Sequence, residues 1–285
     1  MKILKTISGA REHIGSLTQG LEGPGFVPTM GALHEGHLSL VRKSVEENRL
    51  AGVSIFVNPI QFNNPCDLEQ YPRTLDEDLG KLASVLRPDD FVFIPAVEEM
   101  YPTPVNRVYD FGNLGQVMEG RFRPGHFNGV GIVVDRLFRI VRPGRAYFGE
   151  KDFQQMTVIR KLMEIEKLPV EIIPCAIIRE PDGLAMSSRN VRLTAGHRKA
   201  APVIYQALRE ARQEYAHKPP GLLKEQIRNR IDSTGLLVTE YVEIAFESTL
   251  QPVHSREQPG MVRCFTAVQA GDVRLIDNLR FTPDN

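Results

Sequence analysis

The sequence predicts an α/β protein, a Rossmann-like doubly wound parallel sheet over residues 1–178 with a smaller C-terminal α+β lid domain over residues 179–285. Two patterns support this. Short, almost continuously apolar runs such as GVSIFV (52–57) and FVFI (91–94) alternate with segments of helical periodicity, as in a parallel sheet covered on both faces. Beyond Arg179 the order changes to helices followed by strands, which suits a small α+β unit. With 285 residues and 42% hydrophobic content the chain can bury two cores, and single cores stop growing near this length.

Residues 25–28 (GFVP) read as a strand, and the turn 29–36 leads into a helix over 37–48, where Leu38, Val41 and Val45 recur at helical spacing. The strand 52–57 is stopped by Asn58-Pro59. A helix over 75–86 precedes the strand 91–94. Residues 129–141 (GVGIVVDRLFRIV) are apolar and helix-compatible, although their β-branched residues also suit a strand. A short strand at 146–148, a helix over 153–166 and a strand over 170–178 follow. Residues 180–190 are polar and rich in turn formers. Helical patterns at 195–215 and 222–233 flank Lys218-Pro219-Pro220-Gly221, and 238–245, 261–270 and 273–277 read as strands.

Lys+Arg and Asp+Glu both number 35, so the formal net charge is zero. The basic excess of a nucleic-acid binder is missing, and no nucleic-acid partner is expected. Cys66, Cys175 and Cys264 lie far apart with no CxxC pair, which reads as reduced thiols in an intracellular protein. The opening MKILKTISGAREHIG has no apolar h-region and no run reaches the length of a membrane span, so the expectation is a cytoplasmic protein without a membrane partner.

Five segments carry chemistry. Pro28–His37 (PTMGALHEGH) joins a strand to a helix, the place where doubly wound folds bind ligands. Its helix N-terminus is expected to offer unpaired N–H groups to phosphate, with His34 and His37 as imidazolium donors. HEGH lacks the spacing of the HExxH zinc motif, so metal ligation is the weaker reading. In Phe56–Phe62 (FVNPIQF), Asn58 and Gln61 bring amides to the same edge, competing with the reading of incidental loop polars. Glu119–Phe127 (EGRFRPGHF) reads as a Gly/Pro loop whose arginines either clamp an anion or remain solvated. In Phe148–Gln155 (FGEKDFQQ), Gly149 permits close approach, Lys151 suits phosphate, and Asp152 either accepts from ribose or caps the helix. Met186–Asn190 (MSSRN) at the domain junction reads as a lid over triphosphate or as a simple helix cap.

In order and spacing, PTMGALHEGHLSLV, FVNPIQF, EGRFRPGHFNGV, FGEKDFQQ and DGLAMSSRN resemble the motif series of the pantothenate synthetase family, a branch of the HxGH nucleotidyltransferases. That resemblance implies ATP-dependent condensation of (R)-pantoate with β-alanine through pantoyl adenylate, releasing AMP and pyrophosphate. It implies an ATP site of Met30, Gly31, Ala32, Leu33, His34, Glu35, Gly36, His37, Gly149, Glu150, Lys151, Asp152, Ile178, Met186, Ser187, Ser188 and Arg189. Within that set His34, His37, Lys151 and Arg189 would be catalytic. Gln61, Gln155, Asn58 and Arg123 would hold the acid and amine substrates. The resemblance also implies Mg²⁺, with no ligands assignable, and a homodimer. The rival readings are another adenylyl transferase on the same fold, an RNA-binding synthetase-like protein, and a silent nucleotide-binding regulator.

Overall fold

The computed structural model describes residues 1–18, 22–255 and 257–282. In chain order the first unit comprises β1 (Lys2–Leu4), α1 (Ile7–Leu17), β2 (Gly25–Thr29), α2 (Glu35–Glu47), β3 (Ala51–Ile55), α3 (Pro65–Glu69), α4 (Leu75–Ala83), β4 (Phe91–Phe93), α5 (Val97–Met100), α6 (Met118–Phe122), α7 (His126–Val141), β5 (Arg145–Gly149), α8 (Phe153–Glu166) and β6 (Glu171–Cys175). The second comprises α9 (Ala195–Ala200), α10 (Val203–Glu214), α11 (Pro220–Asp232), β7 (Leu237–Phe246), β8 (Val262–Ala270) and β9 (Val273–Arg280).

Strands β1 to β6 form one parallel sheet in the order β1-β4-β3-β2-β5-β6, as the alternating pattern predicts. Its two faces carry separate apolar clusters, one built with α1, α7 and α8, the other with α2 and α4. Chain progression runs outward from β2 through β3 on one side and from β5 to β6 on the other. A crevice therefore opens where the carboxyl ends of β2 and β5 diverge, the switch point at which such sheets bind ligands. The second unit is an antiparallel sheet, β7-β8-β9, backed by α10 and α11. It does not stand apart: Ala245, Leu250 and Phe265 join the first unit's core, with the Phe265 ring 5.9 Å from that of Phe153.

Three local expectations change. β1 and α1 carry no pattern recognised in the sequence, because β1 has only three residues and two of them are exposed. The helix expected over 195–215 is two helices, since Pro202 has no N–H to continue the first and stands at the start of the second. Residues 119–127 are not an open loop. They are α6 and the first turn of α7, and Gly125 at φ 84° provides the left-handed residue between them. Among the described residues, no helix is long and apolar enough to cross a membrane.

Candidate active site

At the end of β2 the Thr29 hydroxyl donates to the Ser54 carbonyl (2.7 Å) and accepts the Gly31 N–H (3.2 Å), turning the chain out of the sheet. Asp78 of α4, 1% exposed, then accepts the N–H groups of Ala32 (2.8 Å) and Leu33 (2.7 Å), while Lys81 donates to the Leu33 carbonyl (2.7 Å). Gly31 has φ 80°, a conformation that a side chain would strain. The amides of Ala32 and Leu33, ahead of the helix N-terminus, are thereby engaged inside the protein. Gly31, Ala32 and Leu33 shape the turn without lining the cleft, and Glu35 is exposed and paired with Arg42.

The two histidines cap α2 reciprocally. The Gly36 N–H donates to His34 Nδ1 (3.1 Å), and the His34 N–H donates to His37 Nδ1 (3.4 Å). Since both Nδ1 atoms accept, each neutral ring carries its proton on Nε2, and both rings line the cleft with their centroids 4.1 Å apart. Burial, with Lys151 adding repulsion, pushes the His34 pKa down to about 4. Burial, then His34 and Lys151, pushes that of His37 down to about 3. With these shifts the rings favour the neutral form near pH 7, in which each presents its Nε2–H to the cleft in place of the imidazolium expected from the sequence.

At the end of β3 a tight turn, Pro59–Gln61, brings in the amides. Asn58, 1% exposed, donates to Gln61 Oε1 (3.1 Å) and to the Gly129 carbonyl (3.2 Å), and accepts from the Tyr101 hydroxyl (2.9 Å). Its hydrogen-bonding capacity goes to seating Gln61, whose Nε2 points at Met30 Sδ (3.1 Å). Both Asn58 and Gln61 line the cleft. So does Gln155 on α8, whose amide has no partner among the described residues.

At the end of β5, Gly149, Lys151 and Asp152 reach the cleft, Lys151 Nζ lying 3.8 Å from the Asp152 carboxylate. Asp152 occupies the N-cap position of α8 but makes no side-chain capping bond. Glu150 turns the other way, with its carboxylate 3.4 Å from Arg263 Nη2. Asn278 of β9 donates to the carbonyls of Glu150 (2.8 Å) and Lys151 (2.9 Å), so the C-terminal sheet sets the turn that presents Lys151.

Ile178, Met186, Ser187, Ser188 and Arg189 form the facing wall. Ser188 donates to the Ala32 carbonyl (2.8 Å), joining this wall to the β2 turn. Arg189 grips Asp67 of α3 through Nε (3.1 Å) and Nη2 (2.7 Å), and Arg192 shares the same carboxylate (3.1 Å). Burial opposes charge on Asp67, yet the two arginines hold its pKa below the usual carboxylate range.

Met30, His34, Gly36, His37, Asn58, Gln61, Gly149, Lys151, Asp152, Gln155, Ile178 and Met186 to Arg189 therefore surround one cleft of about 230 Å³. Arg123 lies outside it, in a small cavity between α6–α8 and the C-terminal sheet that adjoins it at Lys151, Asp152 and Gln155. Sequence reasoning missed Tyr71, Phe56 and the apolar wall of Val130, Val133, Val134 and Leu137. The spacing of those four along α7 was visible, but the same spacing describes a helix face buried in a core.

A profile of the pantoate-beta-alanine ligase family matches residues 2–280. The pantothenate synthetase of Bacteroides thetaiotaomicron is 47% identical over 282 residues, 99% of each chain. That of Azobacteroides pseudotrichonymphae is 46% identical over 281 residues, 99% of this chain and 100% of its own. The crystal structure of pantothenate synthetase from Thermus thermophilus superposes with a TM-score of 0.92 at 40% identity, covering 99% of this chain and 100% of that one. The pantoate-beta-alanine ligase of Francisella tularensis, solved with beta-gamma ATP and beta-alanine, gives 0.83 at 37% identity over 99% and 98%. With similarity running through both sheets and the cleft at the switch point of the first, the chain belongs to the pantoate-beta-alanine ligase family.

Proposed function

We propose that the cleft at the carboxyl ends of β2 and β5 joins (R)-pantoate to β-alanine with ATP, a step of pantothenate and coenzyme A biosynthesis. In the first half-reaction a pantoate carboxylate oxygen attacks the α-phosphorus, the bond to pyrophosphate breaks, and pantoyl adenylate forms. In the second, the β-alanine amine attacks the acyl carbon, the bond to AMP breaks, and the amine loses a proton. The observation that carries this reading is the meeting of two imidazoles, one lysine and two glutamines around a single cleft at the sheet's switch point.

The Nε2–H groups of His34 and His37 and the Lys151 ammonium face the triphosphate and stabilise charge passing to pyrophosphate. Arg189 joins them by exchanging Asp67 for phosphate. Gln61 and Gln155 hold the pantoate hydroxyl and carboxylate oxygens, aligning the nucleophile with the α-phosphorus. Asn58 acts by seating Gln61, and Arg123 stands near the path of the amine. The apolar wall of α7 keeps water from the mixed anhydride. Ile178, Met186, Ser187 and Ser188 close over the nucleotide with Gly149 and Asp152 beneath; Glu35 and Glu150 take no direct part.

Mg²⁺ enters with the nucleotide. Among the described residues no group of three or more His, Cys, Asp or Glu side chains could hold a metal ion alone, and Mg²⁺ is ordinarily held largely by phosphate oxygens and water. A homodimer belongs to the same proposal and rests on the family resemblance; sedimentation of the purified chain tests it. Cytoplasmic placement is supported by the three free thiols Cys66, Cys175 and Cys264. The decisive assay is pyrophosphate release from ATP and pantoate with and without β-alanine, with product analysis for AMP and the amide. His37→Ala and Lys151→Ala should each lower adenylation far more than folding stability, and near-normal pyrophosphate exchange in both would remove their assigned roles.

A further inference from the structure

His126 opens α7 outside the cleft, is 5% exposed, and takes no part in the reaction just described. Both its ring nitrogens are engaged. Nδ1 lies 2.9 Å from the Gln61 carbonyl and Nε2 lies 3.1 Å from Arg123 Nη1. A carbonyl only accepts and a guanidinium only donates, so Nδ1 carries the proton and Nε2 accepts. Arg123 in turn lies 3.6 Å from the Glu119 carboxylate, which is held by Arg274 of β9 (2.7 and 2.8 Å) and by the Tyr241 hydroxyl of β7 (2.8 Å). A chain of polar contacts therefore runs from the C-terminal sheet through Glu119, Arg123 and His126 to the backbone of Gln61.

The turn at Gln61 is clamped from the same side by α7. A Cβ added at Gly129 would sit 2.3 Å from the Ile60 carbonyl oxygen and 2.6 Å from Gln61 Cα, so helix and turn meet backbone to backbone. Asn58, which also donates to the Gly129 carbonyl, fixes the Gln61 amide. The residue proposed to grip pantoate thus has its side-chain amide set by Asn58 and its backbone carbonyl set by His126.

We propose that His126 is a positioning residue for the ligase reaction: its Nδ1–H fixes the carbonyl of Gln61, and Arg123, donating to its Nε2, ties that setting to the seating of the C-terminal sheet through Glu119. The inference rests on the assignment of Gln61 to pantoate. It accounts for why a histidine, with donor and acceptor on opposite edges of one flat ring, stands where a carbonyl and a guanidinium must both be met.

The test compares His126→Asn, His126→Gln and His126→Phe in the full chain, reading the KM values for pantoate and ATP, pantoate binding by calorimetry, and Tm. Asn places its amide near the Nδ1 position and can still donate to Gln61, whereas Gln reaches the Nε2 position and meets only Arg123. His126→Phe and His126→Gln should weaken pantoate binding about fivefold to tenfold, the loss of one buried hydrogen bond, with the ATP KM within about twofold. His126→Asn should recover most of that loss. Combining His126→Phe with Gln61→Ala should weaken pantoate binding no further than Gln61→Ala alone. Equal effects on both substrates, no difference between Asn and Gln, or additivity with Gln61→Ala would overturn the proposal. If the Phe variant is insoluble, the Asn and Gln pair decides. Failure of the unaltered protein to bind or turn over pantoate would instead remove the assignment of Gln61.

Discussion

Gly129→Ala adds one methyl group where α7 crosses the Gln61 turn. It would fall 2.3 Å from the Ile60 carbonyl oxygen, 2.7 Å from its carbon and 2.6 Å from Gln61 Cα. Ordinary contacts need about 3.5 Å, so helix and turn must part by about 1 Å, and all three atoms met are backbone with no rotamer to yield. Overpacking of this kind destabilises by about 1–3 kcal/mol. The functional loss should be larger, because the shift falls on Gln61 and loosens the bond from Asn58 to the Gly129 carbonyl. A misplacement near 1 Å can lower rate by a factor on the order of 10². We expect kcat/KM for pantoate to fall by about that factor while the protein remains folded at 25 °C, with most of the ATP affinity kept. Pyrophosphate release across a pantoate series, alongside calorimetric Tm, measures both. The reasoning is refuted if Gly129→Ala keeps its pantoate kcat/KM, or if the loss equals the fraction of protein unfolded.

Gly80, exposed within α4, has nothing within 4 Å of an added Cβ, so Gly80→Ala should raise stability by about 0.5–1 kcal/mol and leave turnover unchanged, read as a higher Tm. Asp67→Asn removes the carboxylate shared by Arg189 and Arg192; without nucleotide, trypsin should cut the 186–192 segment faster, and saturating ATP should restore protection. Unaltered cleavage would mean that the latch does not hold this wall. His34 and His37 have folded-state pKa values of about 4 and about 3, below the free imidazole range. The unfolded chain therefore binds more protons between pH 6.5 and 4, and stability falls as pH drops through that window. Replacing both by Gln should flatten part of the decline in Tm between pH 7 and 5. His126, which burial and then Arg123 push down to about 4, contributes to the same decline.

Much of the architecture was legible because its signals are local. Apolar runs marked β2 through β6, and the motif turns fell at the ends of β2, β3 and β5, where topology brings them together. What escaped was short or depended on distant partners. β1 is too short to show a period. The 119–127 segment read as a loop because its glycines and proline are loop formers, yet in place they punctuate two helices that bury Glu119 and His126.

Read alone, the chain's patterning predicted the layered α/β class, and its motifs, by resemblance, predicted the family and the turns expected around a nucleotide. Folding settled what each polar group there is free to do. The amides of Ala32 and Leu33 are taken by Asp78, 46 and 45 positions away, and Arg189 is gripped by Asp67 from 122 positions away. Burial where these segments meet favours the neutral form of His34 and His37. Hydrogen-bond partnership and desolvation arise only when distant segments meet, and they leave no periodic trace in the segments themselves.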